Sequence, residues 1–131
     1  MTKTIVETEN APKAIGPYSQ GVGYNGLFFF SGQIPIDPTT GDIVPGGVQE
    51  QTRQVMANLR AVLSAAGLDF AHVLKTTIFL KNMTDFAAVN EIYGGYFDEN
   101  PPARATVEVS RLPKDVLVEI DMIAAAPEDG Q

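Results

Sequence analysis

The dipeptide Asn25-Gly26 lies between two apolar segments, YSQGVGY and LFFFSG. Both of its residues adopt positive φ angles readily, which the type I′ turn of a two-residue β-hairpin requires. The alternating segment KTIVET at residues 3–8 indicates a further short strand. The chain is therefore committed to a fold that contains an antiparallel sheet near its N-terminus.

Two later segments have the spacing of amphipathic helices. Apolar residues recur every three or four positions from Val48 to Ala66, and Gly67 follows as a C-terminal cap. A second helix is predicted from about Thr84, as its N-cap, through Phe97, because the segment NPP that follows stops it.

Three more strands are predicted from β-branched and apolar residues. HVLKTTIFLK at residues 72–81 is apolar on both parities, as in a strand covered on two faces. The segments Ala103 to Val109 and Val116 to Ala124 are joined by the turn SRLPKD and predict a hairpin, whereas QIPIDPTTGDIVPGG predicts a long surface loop. After a small N-terminal strand the element order is ββ, α, β, α, ββ, and the two helices can cover only one face of the resulting sheet.

The second face of this sheet also needs a cover, because the strands offer apolar side chains on both parities. Another copy of the same chain is the most economical cover, so the sequence predicts a homo-oligomer. The residues that carry this prediction are Phe28, Phe29, Phe30, Ile78, Leu80, Val107, Val109, Ile120 and Met122.

Length and residue usage exclude several classes of protein. The 131 residues predict one domain, with a lead-in and strand at about residues 1–9 and a frayed tail at about 126–131. The absence of cysteine excludes disulfides, thiolate catalysis and cysteine zinc sites, and the single His72 excludes a histidine-rich metal site. No metal and no cofactor are expected.

The charge balance and the distribution of apolar residues bear on partners and location. Nine Lys and Arg against sixteen Asp and Glu give a net charge of -7, which repels a polyanion, so nucleic acid is not an expected partner. No apolar run approaches the ~20 residues of a membrane span, and the N-terminal residues do not resemble a signal peptide. We expect a cytoplasmic protein that does not interact with membranes.

Arg104 is the first candidate for a functional side chain. Strand parity places it on one face with Thr106 and Glu108, and it would pair with Glu108 if that face is simply exposed to water. Its neighbours Ala103 and Ala105 leave room beside the guanidinium, whose planar fork binds carboxylates in bidentate fashion. A surface ion pair and a receptor for a substrate carboxylate both remain open.

Glu119 interrupts the apolar segment VLVEIDMI. Its carboxylate either turns outward together with Asp121 or lies in a pocket that shifts its pKa. If the predicted hairpin pairs Ser110 with Val116, Arg104 and Glu119 point to opposite faces. Only a shifted register or a bulge would then bring these two side chains together.

Further polar residues lie beside the first hairpin and on the second helix. Tyr18 follows Pro17 and is either a hydroxyl donor at a pocket rim or a strand aromatic. Ser31-Gly32 ends a strand, and Gly32 either allows a ligand to approach the backbone or forms a turn. Asn90 indicates helix packing or hydrogen bonding at an interface more than catalysis.

The segments GPYSQ, SGQIP, PPAR, EVSRLPKD and VEI occur in this order, and from about Asn10 to Ala124 the chain resembles the RidA family of reactive intermediate deaminases. The resemblance implies a chorismate-mutase-like α+β fold, in which two helices pack on one face of a mixed β-sheet. It also implies a homotrimer with active sites in the clefts between subunits. It also implies hydrolysis of enamines and 2-imino acids, such as 2-iminopropanoate and 2-iminobutanoate, to 2-oxo acids and ammonia without a cofactor.

The same resemblance implies roles for individual residues. Arg104 would bind the substrate carboxylate with help from the Gly32 N–H, and Glu119 would orient or activate the attacking water. The remaining residues of the implied site are Tyr18, Ser31 and Asn90, and the backbone at Ala105 and Val107.

The alternative is a regulatory or chaperone-like trimer that binds a 2-oxo acid without turnover. Arg104 and Gly32 serve both functions, and only Glu119 favours hydrolysis. RNA cleavage, an activity attached to some members of the family, is disfavoured by the acidic charge and the lone His72.

Overall fold

The computed structural model describes residues 2–127, which form a six-stranded sheet with two helices on one face. The helices are α1 (Val48–Ala65) and α2 (Phe86–Gly94). The strands are β1 (Thr4–Val6), β2 (Gly21–Tyr24), β3 (Leu27–Gln33), β4 (Val73–Leu80), β5 (Ala103–Glu108) and β6 (Val118–Ala125). Across the sheet their order is β1-β2-β3-β6-β4-β5, so the fold is the predicted mixed α+β arrangement.

The N-terminal hairpin is confirmed. Asn25 and Gly26 have φ angles of 53° and 84°, and β2 and β3 pair as antiparallel strands on either side of them. The Ala126 N–H donates to the Gly26 carbonyl at 2.8 Å, so the chain is still held at the residue where fraying is predicted to begin. The rest of the predicted tail, residues 128–131, lies outside the described residues.

The predicted C-terminal hairpin is wrong. Strand β5 pairs with β4 in parallel, and β6 lies between β3 and β4, antiparallel to both. The crossover through α2 returns the chain in the direction of β4, which makes β5 parallel to it. The turn after β5 then carries the chain past β4 and places β6, the strand with the most regular buried face, in the centre of the sheet.

The first helix is confirmed and the second is shorter than predicted. Gly67 has a φ of 76° beyond the end of α1, where the Leu68 N–H donates to the Leu63 carbonyl at 2.9 Å. Thr84 is not the N-cap of α2, because it lies inside a 3₁₀ turn, Met83–Asp85, that precedes the helix. The helix ends at Gly94 and not near Phe97, since consecutive glycines at 94 and 95 disfavour its continuation.

The two faces of the sheet differ in their cover. Alternate residues of β6 are buried beneath the helices, together with the apolar side chains of α1. The other face, which we term the open face, carries Ile5, Phe29, Val107, Glu119 and Asp121. On it Ile5, Phe29 and Val107 are 51%, 49% and 40% exposed. The prediction that the helices cover only one face is confirmed. That a second copy of the chain covers the open face stays a prediction.

Candidate active site

Arg104 lies on the helix-covered side of β5, opposite Thr76 of β4. Its Nη1 donates to Asn90 Oδ1 at 2.7 Å, and its guanidinium carbon lies 5.1 Å and 5.5 Å from the ring centroids of Tyr93 and Phe86. These four residues, Arg104, Asn90, Tyr93 and Phe86, form what we term the arginine clamp. All three partners of the guanidinium come from α2, at the helical spacing i, i+4, i+7.

The expected alternative, in which Arg104 pairs with Glu108, is not observed. Glu108 instead accepts a hydrogen bond from the Met83 N–H at 2.7 Å and so anchors the chain before α2. Arg104 remains exposed, and its Nε and Nη2 have no side-chain partner among residues 2–127. One edge of the guanidinium is therefore free to bind a carboxylate in bidentate fashion.

Glu119 lies on the open face, opposite Phe79 of β4, and is half-buried. Burial raises the pKa of its carboxyl group, and the negative charge of Asp121 raises the pKa further. Burial likewise raises the pKa of Asp121, although hydrogen bonding to Thr77 and the charge of Lys75 oppose that effect. Glu119 is thus better placed than a surface carboxylate to accept a proton near neutral pH.

Gly32 provides the space in which the Glu119 carboxylate lies. A Cβ atom built at position 32 would overlap that carboxylate, so no larger residue fits without a shift. Ser31 and Gly32 fall in an irregularity of the β3–β6 register between Phe30 and Gln33, where neither residue has a partner on β6. Such bulges redirect backbone groups and are frequent beside active sites.

Ser31 and Tyr18 belong to one local arrangement on the N-terminal side of this bulge. The Ser31 hydroxyl donates to the Ser19 carbonyl at 2.6 Å, and the Ser31 N–H donates to the Gln20 carbonyl at 3.0 Å. Within the chain, Ser31 therefore positions the segment that carries Tyr18. Tyr18 is 53% exposed and lines a groove of about 900 Å³ beside β1.

Arg104 and Glu119 lie on opposite faces of the sheet. They pair with Thr76 and Phe79 of β4, which are three residues apart and therefore point to opposite sides. The question of the hairpin register thus does not arise, because β4 separates the two strands. Within one chain, the sheet therefore lies between the two side chains.

Alternate side chains of β5 point to opposite faces of the sheet. Two residues predicted for the site lie on one face, and a residue that was not predicted for the site lies on the other. Ala105 and Val107 direct their side chains to the open face, opposite Thr77 and Phe79. Thr106 shares the face of Arg104, and its Oγ1 is buried without a hydrogen-bond partner in the described chain. Its position two residues from Arg104 predicts that Thr106 lies on the same face of the strand. Nothing in the sequence predicts that its hydroxyl lacks a hydrogen-bond partner.

The described residues contain neither a group of metal-ligating side chains nor a membrane-spanning helix. Within residues 2–127, no three His, Asp or Glu side chains are grouped as metal ligands. Over the same residues, neither helix has the length and apolar character needed to cross a bilayer.

Comparison with known proteins adds an independent line of evidence. Residues 8–126 match the family described as Endoribonuclease L-PSP. A RutC family protein from Pyrococcus horikoshii is 57% identical over 93% of this chain and 97% of its own length. The 2-iminobutanoate/2-iminopropanoate deaminase of Escherichia coli is 52% identical over 95% of this chain and 98% of its own length. The crystal structure of Escherichia coli TdcF with bound serine superposes with a TM-score of 0.90 at 46% identity, covering 95% of this chain and 99% of TdcF.

Proposed function

Since the chain belongs to the YjgF/RidA/RutC family, the family described as Endoribonuclease L-PSP, we propose that it hydrolyses 2-imino acids to 2-oxo acids and ammonia. The 2-imino acids are in equilibrium with their enamines. The observation that carries this proposal is the Arg104 guanidinium, held at one nitrogen by Asn90 and free along its other edge. A 2-imino acid offers the carboxylate that this edge fits. The deaminase named for the Escherichia coli relative acts on substrates of this class.

In the proposed reaction the protein positions the substrate and accepts a proton from the attacking water. Arg104 fixes the carboxylate so that the carbon of the N-protonated imine faces a water molecule. Glu119 accepts a proton from that water as its oxygen bonds to the imine carbon, giving a carbinolamine. Return of this proton to nitrogen makes ammonia the leaving group. As the C–N bond breaks, the carbinolamine hydroxyl gives its proton to the Glu119 carboxylate, which leaves the 2-oxo acid and ammonia. A positioned base contributes about 10² to 10⁴ in rate, so Glu119 would supply much of the acceleration.

We place the working site between two copies of the chain. Arg104 and Glu119 lie on opposite faces within one chain, whereas the apolar open face favours cover by another copy. A homotrimer is typical of the family and would bring the Arg104 of one subunit towards the Glu119 of the next. Tyr18, Ser31 and the Gly32 N–H would then line this cleft.

Complementation tests the placement. Chains carrying Arg104→Lys and chains carrying Glu119→Gln are co-expressed, and mixed oligomers are isolated by two affinity tags. If each site takes its arginine and its glutamate from different subunits, one of the three sites in every mixed trimer is restored. If mixed oligomers are no more active than either parent, the arrangement between subunits is wrong.

The reaction itself is tested with an imine made in situ. A pyridoxal-phosphate-dependent dehydratase acting on serine or threonine releases the 2-imino acid, and formation of the 2-oxo acid is followed with and without the protein. We expect faster appearance of the 2-oxo acid. An unchanged rate, combined with measurable binding of the 2-oxo acid, would favour the alternative of a regulatory trimer that binds small carboxylates, an alternative that TdcF with its bound serine makes worth testing.

A further inference from the structure

The geometry points to Tyr93 as a positioning residue that acts through Arg104 and sets the affinity of the site for carboxylates. This inference rests on the proposed function, because it assigns Arg104 to the substrate. From the sequence, Tyr93 is simply one of the apolar residues of the second helix. Its contacts connect the core of the domain to the arginine clamp.

Tyr93 is fixed at both ends. Its hydroxyl shares a hydrogen bond of 2.6 Å with the Thr76 hydroxyl, and Thr76 is the residue of β4 that lies directly opposite Arg104. Its ring packs against Phe97, with centroids 4.8 Å apart, and only 5% of the residue is exposed. Burial raises the pKa of Tyr93, so the hydroxyl stays protonated at neutral pH. The ring therefore presents a rigid, uncharged surface to the guanidinium.

A rigid surface matters because a free arginine side chain loses conformational freedom when it binds a ligand. A guanidinium over an aromatic face is attracted by the ring quadrupole, and here Tyr93 and Phe86 both lie within reach of it. Asn90 accepts from Nη1 and fixes the rotation of the guanidinium in its own plane. Part of the ordering required for carboxylate binding is thus completed when the chain folds.

A second arginine in the same protein provides a matched control. The Arg60 guanidinium carbon lies 5.3 Å from the ring centroids of both Phe70 and Tyr96, so its aromatic contacts closely resemble those of Arg104. No residue of that cluster is part of the proposed site. Tyr96→Leu therefore removes a ring from an arginine of comparable surroundings without touching the arginine clamp.

The experiment compares Tyr93→Leu with Tyr96→Leu in two backgrounds, native and Arg104→Met. The binding constant of a 2-oxo acid is measured by calorimetry, and KM and kcat are measured with the imine generated in situ. We expect Tyr93→Leu to weaken 2-oxo acid binding and to raise KM about 2- to 30-fold, with a smaller change in kcat. Tyr96→Leu should leave both constants unchanged.

The second background separates positioning from general loss of structure. In Arg104→Met chains, Tyr93→Leu should have no further effect on 2-oxo acid binding, because the group through which it acts is gone. An equal loss in both backgrounds, or no loss in either, would overturn the inference. If Tyr93→Leu does not fold, Phe86→Leu removes the other ring from a less buried position and is held to the same outcomes.

Binding and turnover also separate the two proposals. A protein that binds 2-oxo acids through Arg104 and Tyr93 without hydrolysing imines would support this inference and contradict the proposed reaction. A protein that hydrolyses imines with its KM unaffected by Tyr93→Leu would do the reverse.

Discussion

The two faces of the sheet contribute to the proposed site in different ways. On the helix-covered face, a single chain supplies Arg104 with a hydrogen-bond acceptor and two aromatic rings, so its guanidinium is held in place. On the open face, Glu119 and Asp121 lie half-buried among apolar side chains, and both have a raised pKa. Folding of a single chain therefore fixes Arg104 in place but leaves Glu119 and Asp121 on the face that the helices do not cover.

The two faces also differ in their effect on the stability of the folded chain. Hydrogen bonding and aromatic contacts around Arg104 stabilise the folded chain as well as the ligand site. A half-buried carboxylate such as Glu119 opposes folding whenever it is ionised, and a neutral residue at the same position would not. Groups retained at such a cost are frequent at functional sites.

The largest effect is expected on the open face. Glu119→Gln removes the proton acceptor but keeps the shape of the side chain, so kcat for imine hydrolysis should fall about 10² to 10⁴-fold. Binding of the 2-oxo acid should change little, because Arg104 is untouched. Steady-state kinetics and calorimetry measure the two quantities, and Glu91→Gln on the exposed side of α2 is the control. A normal kcat would show that Glu119 is not the proton acceptor.

Arg104→Lys tests the other face and should have the next largest effect. A lysine keeps the charge but loses the bidentate fork and most of the contact with Asn90, so kcat/KM should fall about 10- to 100-fold, mainly through KM. Arg60→Lys makes the same exchange over another pair of rings and should leave kinetics unchanged. Equal turnover of 2-iminopropanoate by Arg104→Lys and native protein would show that the arginine clamp does not bind the substrate carboxylate.

The cost of the open-face carboxylate should appear in the pH dependence of stability. Because the pKa of Glu119 is raised from 4.5 in the folded chain, the folded state holds this proton more tightly than the unfolded state. Its contribution to stability is therefore lost as pH rises from about 4.5 through the folded pKa. Glu119→Gln should raise Tm at pH 7, with an advantage that shrinks on acidification. A Tm gain that does not vary with pH would show that titration is not its cause.

The smallest effect is expected beside Arg104, at Thr106. Its buried hydroxyl has no partner among the described residues, so Thr106→Val removes an unsatisfied polar group at nearly constant shape. The free energy of unfolding should stay level or rise by about 1 kcal/mol, as measured by denaturant titration, with unchanged kinetics. A fall in kcat/KM would instead reveal a partner for the hydroxyl in the working enzyme, and the helix-covered face would then contribute more than the arginine clamp.

Local signals in the sequence predict much of this fold. Asn25-Gly26 specifies its hairpin through backbone φ angles, and the periodicity before Gly67 specifies α1, because both depend on neighbours along the chain. The position of β6 between β3 and β4 depends on pairing between distant segments, which no local pattern encodes. The predicted hairpin of β5 with β6 failed for this reason.

The candidate site was predictable to a similar extent. The chemistry of Arg104 and Glu119 follows from their residue types, and their motifs identify the family. Their placement on opposite faces follows from the strand order and could not be read from the sequence. The support of Arg104 by Tyr93 and Phe86 also escaped prediction, because apolar helical spacing indicates burial and does not indicate which side chain the buried ring will face.

The central place of β6 has a consequence for how the protein is made. This strand is the last of the six to be synthesised, yet it joins β3 to β4 and completes the sheet beneath both helices. A nascent chain that still lacks it holds two separate pieces of sheet, each with an unpaired edge and an unfilled core. Cooperative folding must therefore wait until β6 has left the ribosome, and premature termination before residue 118 should yield a chain that aggregates.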